Sequence, residues 1–286
     1  MCDSIECSVI IPTYNRAHLL ELTLQSLCEQ DVEGLKYEII ICDDGSTDNT
    51  EEVYFKYRDR IPLSYIFQPD LGFRVAKARN KGIVAAKGRI CIFLDSGVFV
   101  KSNFLTTHLR NHRGSKRNAV IGMVFGFNVT PYEIDELKRD IDRTNFDASI
   151  NGISKQYPDL RRELYLECDY SINRLLAPWL AFWGGNISAR RVDIVRCGAF
   201  DENLVSWGGE DIDLGYRLFK SGVNFLVDRD IQSVHYPHLN CVSENNVSAK
   251  ENYMYLKNKF DDDVFDIVDG KSLVEINSLL ESLAEA

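Results

Sequence analysis

The sequence predicts an α/β fold: a Rossmann-like, mostly parallel twisted sheet flanked by helices, with a smaller half of different rhythm after it. Two apolar runs carry this prediction. Residues 7–13 (CSVIIPT) and 37–43 (YEIIICD) are nearly all hydrophobic and then stop abruptly in polar residues. Strands buried on both faces of a parallel sheet read this way, and their carboxyl ends deliver polar groups to a ligand crevice. Between the runs, Leu20, Leu24 and Leu27 recur at helical spacing, giving strand, helix, strand.

The alternation continues downstream. Ser46, Thr47 and Asp48 offer N-caps to a helix whose core contacts are Val53 and Tyr57. A short strand over 63–67 leads through Gly72 into a helix running past Arg79. Its apolar positions, Val75, Ala78, Gly82 and Ala85, are small enough for it to lie close against the sheet. The strand 90–94 follows and ends at Asp95. Such alternation implies a parallel sheet with ligands at the carboxyl ends of its strands.

Beyond residue 115 the rhythm breaks. A strand is expected over 119–127, a charged and exposed helix over 131–145, and a polar, tyrosine-bearing irregular segment over 147–174 that reads as an insertion or lid. The tryptophan-rich stretch 175–183 enters Gly184-Gly185-Asn186. A helix over 211–221 buries Ile212, Tyr216 and Phe219, and strands near 224–227 and 232–235 close this half. The tail 272–286 carries Leu273, Ile276, Leu280 and Leu283 as an apolar stripe among acidic residues. It is expected to pack back on the body, with a homodimer contact as the alternative. Three parts result: 1–115, a nucleotide-binding half; 116–245, a second half with its insertion near 147–174; and 246–286, a helical tail.

At 286 residues the chain can bury a large core. Its formal net charge of -10 argues against broad binding to nucleic acid or an anionic membrane, while leaving room for a local basic groove. No stretch is long and apolar enough to span a bilayer, and the N-terminus lacks a signal-peptide layout. Eight cysteines never form a C-x-x-C pair, and several, such as Cys91, sit inside apolar runs. Buried thiols in a cytoplasmic protein are the expected reading, and spacing disfavours a zinc site.

Six blocks carry chemistry. Pro12, Thr13, Tyr14 and Arg16 follow the first strand, and Asp43-Asp44 ends the second; a carboxylate there can accept from a uracil N3–H or hold a ribose hydroxyl. Alternatively, Asp43 caps the next helix and Asp44 is merely solvated. Gly72–Gly82 places Arg74, Lys77, Arg79 and Lys81 near one helix, as a diphosphate needs; Lys77 and Lys81 equally fit a solvated basic face, whereas Arg79 beside Asn80 is expected to turn inward. Asp95-Ser96-Gly97 ends the fourth strand. In Trp207-Gly208-Gly209-Glu210-Asp211, two acids open a helix after a tryptophan and paired glycines; a general base explains this run better than capping alone. His235, with His238 as substitute, stands after the last apolar run; a lone histidine is as readily structural as ligating.

Taken in order, these blocks resemble the family 2 glycosyltransferases of the GT-A fold over most of residues 7–238. The Trp207–Asp211 block is similar to the acceptor half of the galactosyltransferase and chondroitin-polymerase type. The resemblance implies an inverting transfer from a UDP-sugar, hexose or N-acetylhexosamine, to a glycan, peptide or small-molecule acceptor. By position, Asp211 matches the catalytic base, Glu210 a ligand of the acceptor hydroxyl, and Trp207 a sugar-stacking platform. Gly185 and Asn186 match a donor-sugar wall. Asp95 and His235 match metal-associated positions for manganese or magnesium, although Gly97 stands where the second acid of the usual Asp-x-Asp pair is found. That departure keeps open a metal-free site, and also a non-catalytic nucleotide-sugar-binding scaffold. A pyrophosphorylase ranks low because residues 12–16 lack a glycine-rich phosphate loop, and a processive membrane synthase ranks low for want of spanning segments.

Overall fold

The computed structural model describes residues 4–285 except 128, 238–241 and 269. His238 therefore lies outside the described residues. The first half follows the expected order: β1 (Cys7–Thr13), α1 (Ala17–Cys28), β2 (Tyr37–Asp43), α2 (Thr50–Tyr57), β3 (Leu63–Phe67), α3 (Val75–Ala85) and β4 (Ile90–Leu94). Side chains of the central strands alternate between faces with period two. Val9, Ile11, Ile39 and Ile41 pack with Leu20 and Leu24 of α1 and Val53 and Tyr57 of α2. Ile10, Ile40, Cys42 and Phe93 face the other way, toward Ala76, Ala78 and Ile83 of α3. A Cβ at Gly82 would stand 2.6 Å from Ile10 and 2.7 Å from Cys42, so α3 does lie close against the sheet as its small residues imply.

The eight strands form one sheet in the order β3-β2-β1-β4-β7-β6-β8-β5, completed by β5 (Val98–Val100), β6 (Asn118–Phe125), β7 (Asn186–Arg190) and β8 (Asn224–His235). β3, β2, β1 and β4 are mutually parallel, whereas β4–β7, β6–β7 and β5–β8 are antiparallel. The whole sheet is thus mixed.

Three local expectations are corrected. The helix expected over 131–145 stops at Arg139 (α5, Pro131–Arg139), and Asn145 instead caps a new helix by accepting from the Ala148 amide at 3.0 Å. The segment expected to be irregular folds as α6 (Phe146–Gln156) and α7 (Arg162–Glu167). Phe146, Ile150 and Ile153, spaced as one helical face, are fully buried beneath a polar exterior. The two strands expected at 224–227 and 232–235 are one strand, β8; its register against β6 shifts between Gly122 and Met123, which absorbs the polar Asp228-Arg229-Asp230 run.

The remaining α-helices are α4 (Phe104–Arg110), α8 (Arg191–Arg196), α9 (Glu210–Lys220), α10 (Val242–Phe260), α11 (Val264–Ile267) and α12 (Leu273–Ala284). A capping box between Ser272 and Glu275 starts α12. Ile276 is buried, Leu273 and Leu280 pack on the main core, and the Asn277 side chain accepts from the Ala177 amide at 3.2 Å. The tail folds back on its own body, with Leu279 and Leu283 left exposed.

Candidate active site

The carboxyl ends of β1, β2 and β4 open on one cleft of about 480 Å³. Pro12, Thr13, Tyr14, Arg16, Asp44, Arg79, Asp95, Ser96, Trp207, Glu210 and His235 all line it, so residues as far apart in sequence as 12 and 235 meet there. Thr13 is buried, and its hydroxyl oxygen has no hydrogen-bond partner among the described residues. A buried polar atom at a cleft wall that lacks a protein partner points to one supplied by a ligand. The Tyr14 hydroxyl donates to Asp70 at 2.8 Å on the exposed surface.

The two acids at the end of β2 divide their work. Asp43 does not reach the cleft lining. It accepts from the Gly45 and Ser46 amides at 3.0 and 2.7 Å and from the Tyr65 hydroxyl, which fixes the turn after the strand. Its expected donor contact is therefore not brought into the cleft. Asp44 lines the cleft and accepts from the Gln68 amide at 2.6 Å and the Arg74 backbone N–H at 2.8 Å. Burial raises its carboxyl above the usual range, partly offset by those two bonds.

Arg79 departs from the free phosphate-binding cation expected of it. Only 3% exposed, it donates from Nη1 to Glu210 at 2.7 Å and from Nη2 to Asp95 at 2.9 Å, and its guanidinium stacks over Phe200. It still borders the cleft, but its charge is matched to two carboxylates. Arg16, exposed at the rim, is the cation the cleft presents outward.

Gly208 and Gly209 take left-handed φ of 87° and 95° immediately before α9, and Gly209 is the residue that caps it. Glycine adopts that backbone without strain, and it sets Glu210 and Asp211 in the first helical turn. Glu210 lines the cleft; its Oε1 meets Arg79, while Oε2 is buried without a partner among the described residues. Asp211 sits just behind, its Oδ2 accepting from the Gly184 amide at 2.8 Å and its Oδ1 from the Ile212 amide at 2.8 Å. Burial first, and then the charge of Glu210, raise the Asp211 carboxyl toward neutrality, against the Gly184 bond and Arg79. A carboxylate with a raised pKa beside a cleft is suited to accept a proton.

Gly185 stands behind Asp95, 3.5 Å from its Oδ2 if given a Cβ, and does not line the cleft. Asn186 does not line it either: fully buried, it offers Oδ1 to His108 at 3.0 Å and Nδ2 to Ser233 at 2.9 Å. Asn186 is a positioning residue in the sheet, not a wall of the cleft. Gly97, in place of a second acid, has φ 95°; its N–H donates to Thr23 and its carbonyl accepts from Tyr236. That geometry suits glycine and closes the position to an ordinary metal-binding aspartate. Sequence reasoning overlooked Phe73, an exposed aromatic in the lining. An aromatic placed directly after Gly72 was the available signal.

A divalent cation can be tested against this donor set. Asp95 and His235 face the same cleft, and Asp95 keeps Oδ2 outside its bond to Arg79. Among the described residues no cluster of three or more His, Cys, Asp or Glu could hold an ion. One carboxylate oxygen and one imidazole fit a manganese-type ion that draws its remaining ligands from phosphate and water.

A sheet of this order, with a cleft at the carboxyl ends of its parallel strands and an acid pair beside it, defines a class that comparison with known proteins names. The model for glycosyl transferase family 2 matches residues 8–173, and that for the N-terminal domain of galactosyltransferase matches 166–239. The chain belongs to glycosyl transferase family 2. Validoxylamine A glucosyltransferase of Streptomyces hygroscopicus subsp. jinggangensis is 38% identical over 245 residues, covering 85% of this chain and 58% of that protein. Chondroitin synthase of Escherichia coli is 30% identical over 228 residues, 76% of this chain and 33% of that protein. The chain thus spans little more than half the length of the first of these relatives. Among solved structures, the mannosyltransferase PcManGT from Pyrobaculum calidifontis, in complex with GDP-Man and Mn2+, has a TM-score of 0.61 at 18% identity, covering 98% of this chain and 69% of that one. S. aureus TarS has a TM-score of 0.59 at 17% identity, covering 98% and 43%. The GT-A fold expected from the sequence is borne out.

Proposed function

We propose that this chain is an inverting glycosyltransferase that moves a hexose or N-acetylhexosamine from a UDP-sugar to a hydroxyl of a carbohydrate, peptide or small molecule. The observation that carries the reading is the acid pair at the start of α9, held by Arg79 and the Gly184 amide, with Glu210 lining the same cleft as Thr13 and Asp44. TarS structures with UDP and with UDP-GlcNAc support a uridine donor. Thr13, Tyr14 and Asp44 hold the nucleoside, and Arg16 stands near the diphosphate. Glu210 Oε2 accepts from the acceptor hydroxyl and orients it. The hydroxyl oxygen attacks the anomeric carbon as the bond to the diphosphate oxygen breaks, and the electron pair leaves with UDP. Asp211 takes the proton.

Asp95 and His235 are the residues that would hold manganese or magnesium, which when bound supplies positive charge to the leaving diphosphate. A cytoplasmic location belongs to the same reading: the six described cysteines are all free thiols, and among the described residues no helix is long and apolar enough to cross a membrane.

The test is UDP release from a panel of UDP-sugars with manganese, with magnesium and with EDTA. Release from one sugar, stimulated by an acceptor, is expected. Tight UDP-sugar binding without turnover for any acceptor would instead favour the scaffold reading, and absence of binding to every UDP-sugar would overturn the nucleotide assignment.

A further inference from the structure

Helix α10 follows the last strand, β8, and one of its faces grips the segment that leads into α9. Asn252, Tyr255, Leu256 and Lys259 recur at spacings of three and four, so they share that face. The Tyr255 hydroxyl donates to Asp201 at 2.8 Å. Lys259 pairs with Asp201 at 2.6 Å and with the fully buried Asp213 of α9. Asn252, itself buried, reaches the turn before α9. Its Nδ2 donates to the Gly208 carbonyl at 2.6 Å, with the Trp207 and Ser206 carbonyls at 3.3 and 3.4 Å. Its Oδ1 accepts from the Ser206 hydroxyl at 3.2 Å. Carbonyls only accept, so three in a row call for the nitrogen side of the amide, which fixes its orientation. The same helix closes the space around the two glycines. A Cβ on Gly209 would stand 3.3 Å from that of Asn252, and one on Gly208 3.5 Å from that of Ala249.

We propose that Asn252 is a positioning residue for the transfer, holding the backbone at 206–208 so that the first turn of α9 presents Glu210 to the cleft and keeps Asp211 on the Gly184 amide. Two successive glycines carry little conformational preference of their own, since each can take either sign of φ. The peptide plane between Gly208 and Gly209 is therefore set by what holds its carbonyl, and the Asn252 amide holds it. Gly209 caps α9, so the direction in which Glu210 and Asp211 leave the turn follows from that plane. Asn252 acts through the main chain rather than on either carboxylate. The inference rests on the transferase reading above.

The test compares Asn252→Ala and Asn252→Asp with Tyr255→Phe, which loosens the same helix face away from the 206–208 carbonyls. Amide hydrogen exchange over 206–213 should be about tenfold faster in both Asn252 variants and unchanged in Tyr255→Phe. The aspartate variant separates the roles, because it keeps the size of asparagine but turns an acceptor toward three carbonyls. The kcat, read with the UDP-sugar that the parent turns over, should fall by about 10- to 100-fold in both, with UDP affinity unchanged. Tyr255→Phe should keep the parent kcat. Parent-like exchange or parent-like kcat in Asn252→Asp overturns the proposal. An equal fall of kcat in Tyr255→Phe overturns it too, by making the docking of α10 as a whole the cause. Failure of the parent to bind any UDP-sugar overturns the transferase reading instead, and the exchange comparison still decides whether Asn252 holds the turn.

Discussion

Arg79 and Glu210 lie 131 residues apart in the chain and share an ion pair of 2.7 Å between side chains that are 3% and 10% exposed. The contact joins α3 to the first turn of α9, the helix that carries the proposed base. The other guanidinium nitrogen holds Asp95 at 2.9 Å. One buried cation thus ties Asp95 and Glu210, two residues of the cleft lining, to each other. Removing one member of a buried pair leaves an uncompensated charge, which costs about 3–5 kcal/mol. Arg79→Met should lower the urea midpoint by a corresponding amount and cut transfer sharply. A midpoint within error of the parent would show that the pair does not hold the cleft together.

The proposed base makes a signed prediction about pH. Asp211 must be deprotonated to accept the acceptor proton, so kcat/KM rises with pH through its pKa. Burial and Glu210 both raise that pKa, so the acid limb should lie well above the ~3.9 of a free aspartate. Glu210→Gln removes the like charge, so the limb should move to lower pH even as the rate falls. Asp211→Asn should lose about 10²–10⁴-fold in kcat while retaining UDP affinity. A limb that stays in place in Glu210→Gln, or near-normal turnover in Asp211→Asn, would reassign the base.

Much of this site is legible in the chain because short-range physics writes it there. The apolar runs ending at Thr13, Asp44 and Asp95 mark strand ends, and Gly208-Gly209-Glu210-Asp211 marks a helix start with charge at its positive end. What adjacency cannot reveal is which of two neighbours turns outward. Asp43 and Asp44 differ only in strand parity, and the turn at Gly45 and Ser46 takes Asp43. Arg79 was expected to touch ligand because its chemistry suits a diphosphate, and Asn186 because the family resemblance implies it. Both are instead satisfied by partners far off in sequence, which no local pattern discloses.

Gly97 permits a sharp test of why the usual second acid is absent. Its φ of 95° strains any side-chain-bearing residue, and its N–H and carbonyl are engaged by Thr23 and Tyr236. Gly97→Asp should therefore destabilise the protein by about 1–3 kcal/mol rather than rebuild a metal site. Chemical denaturation and manganese titration of the variant check both halves of the claim. Unchanged stability with tightened manganese binding would mean that the backbone readily accommodates an acid there.

The buried polar layer behind the cleft predicts an acid weakness in the fold. His108 and His112 are both fully buried, and both contact the Ser188 hydroxyl at 2.8 Å. Burial pushes them down, His108 to about 4 and His112 to about 3, the latter helped by His108. An unfolded chain protonates its histidines near 6.5, whereas the folded chain resists until far lower pH. Folding stability contributed by these neutral imidazoles is therefore full above about pH 6.5 and lost progressively as the pH falls toward 4 and 3. Because His108 also holds Asn186, whose strand follows the Gly184 amide bound to Asp211, the same titration should loosen the base. Urea midpoints measured between pH 7.5 and 4.5 should fall steeply, and His112→Gln should flatten the slope. A midpoint flat across this range in the parent would mean that the two imidazoles take up protons inside the fold as readily as in water.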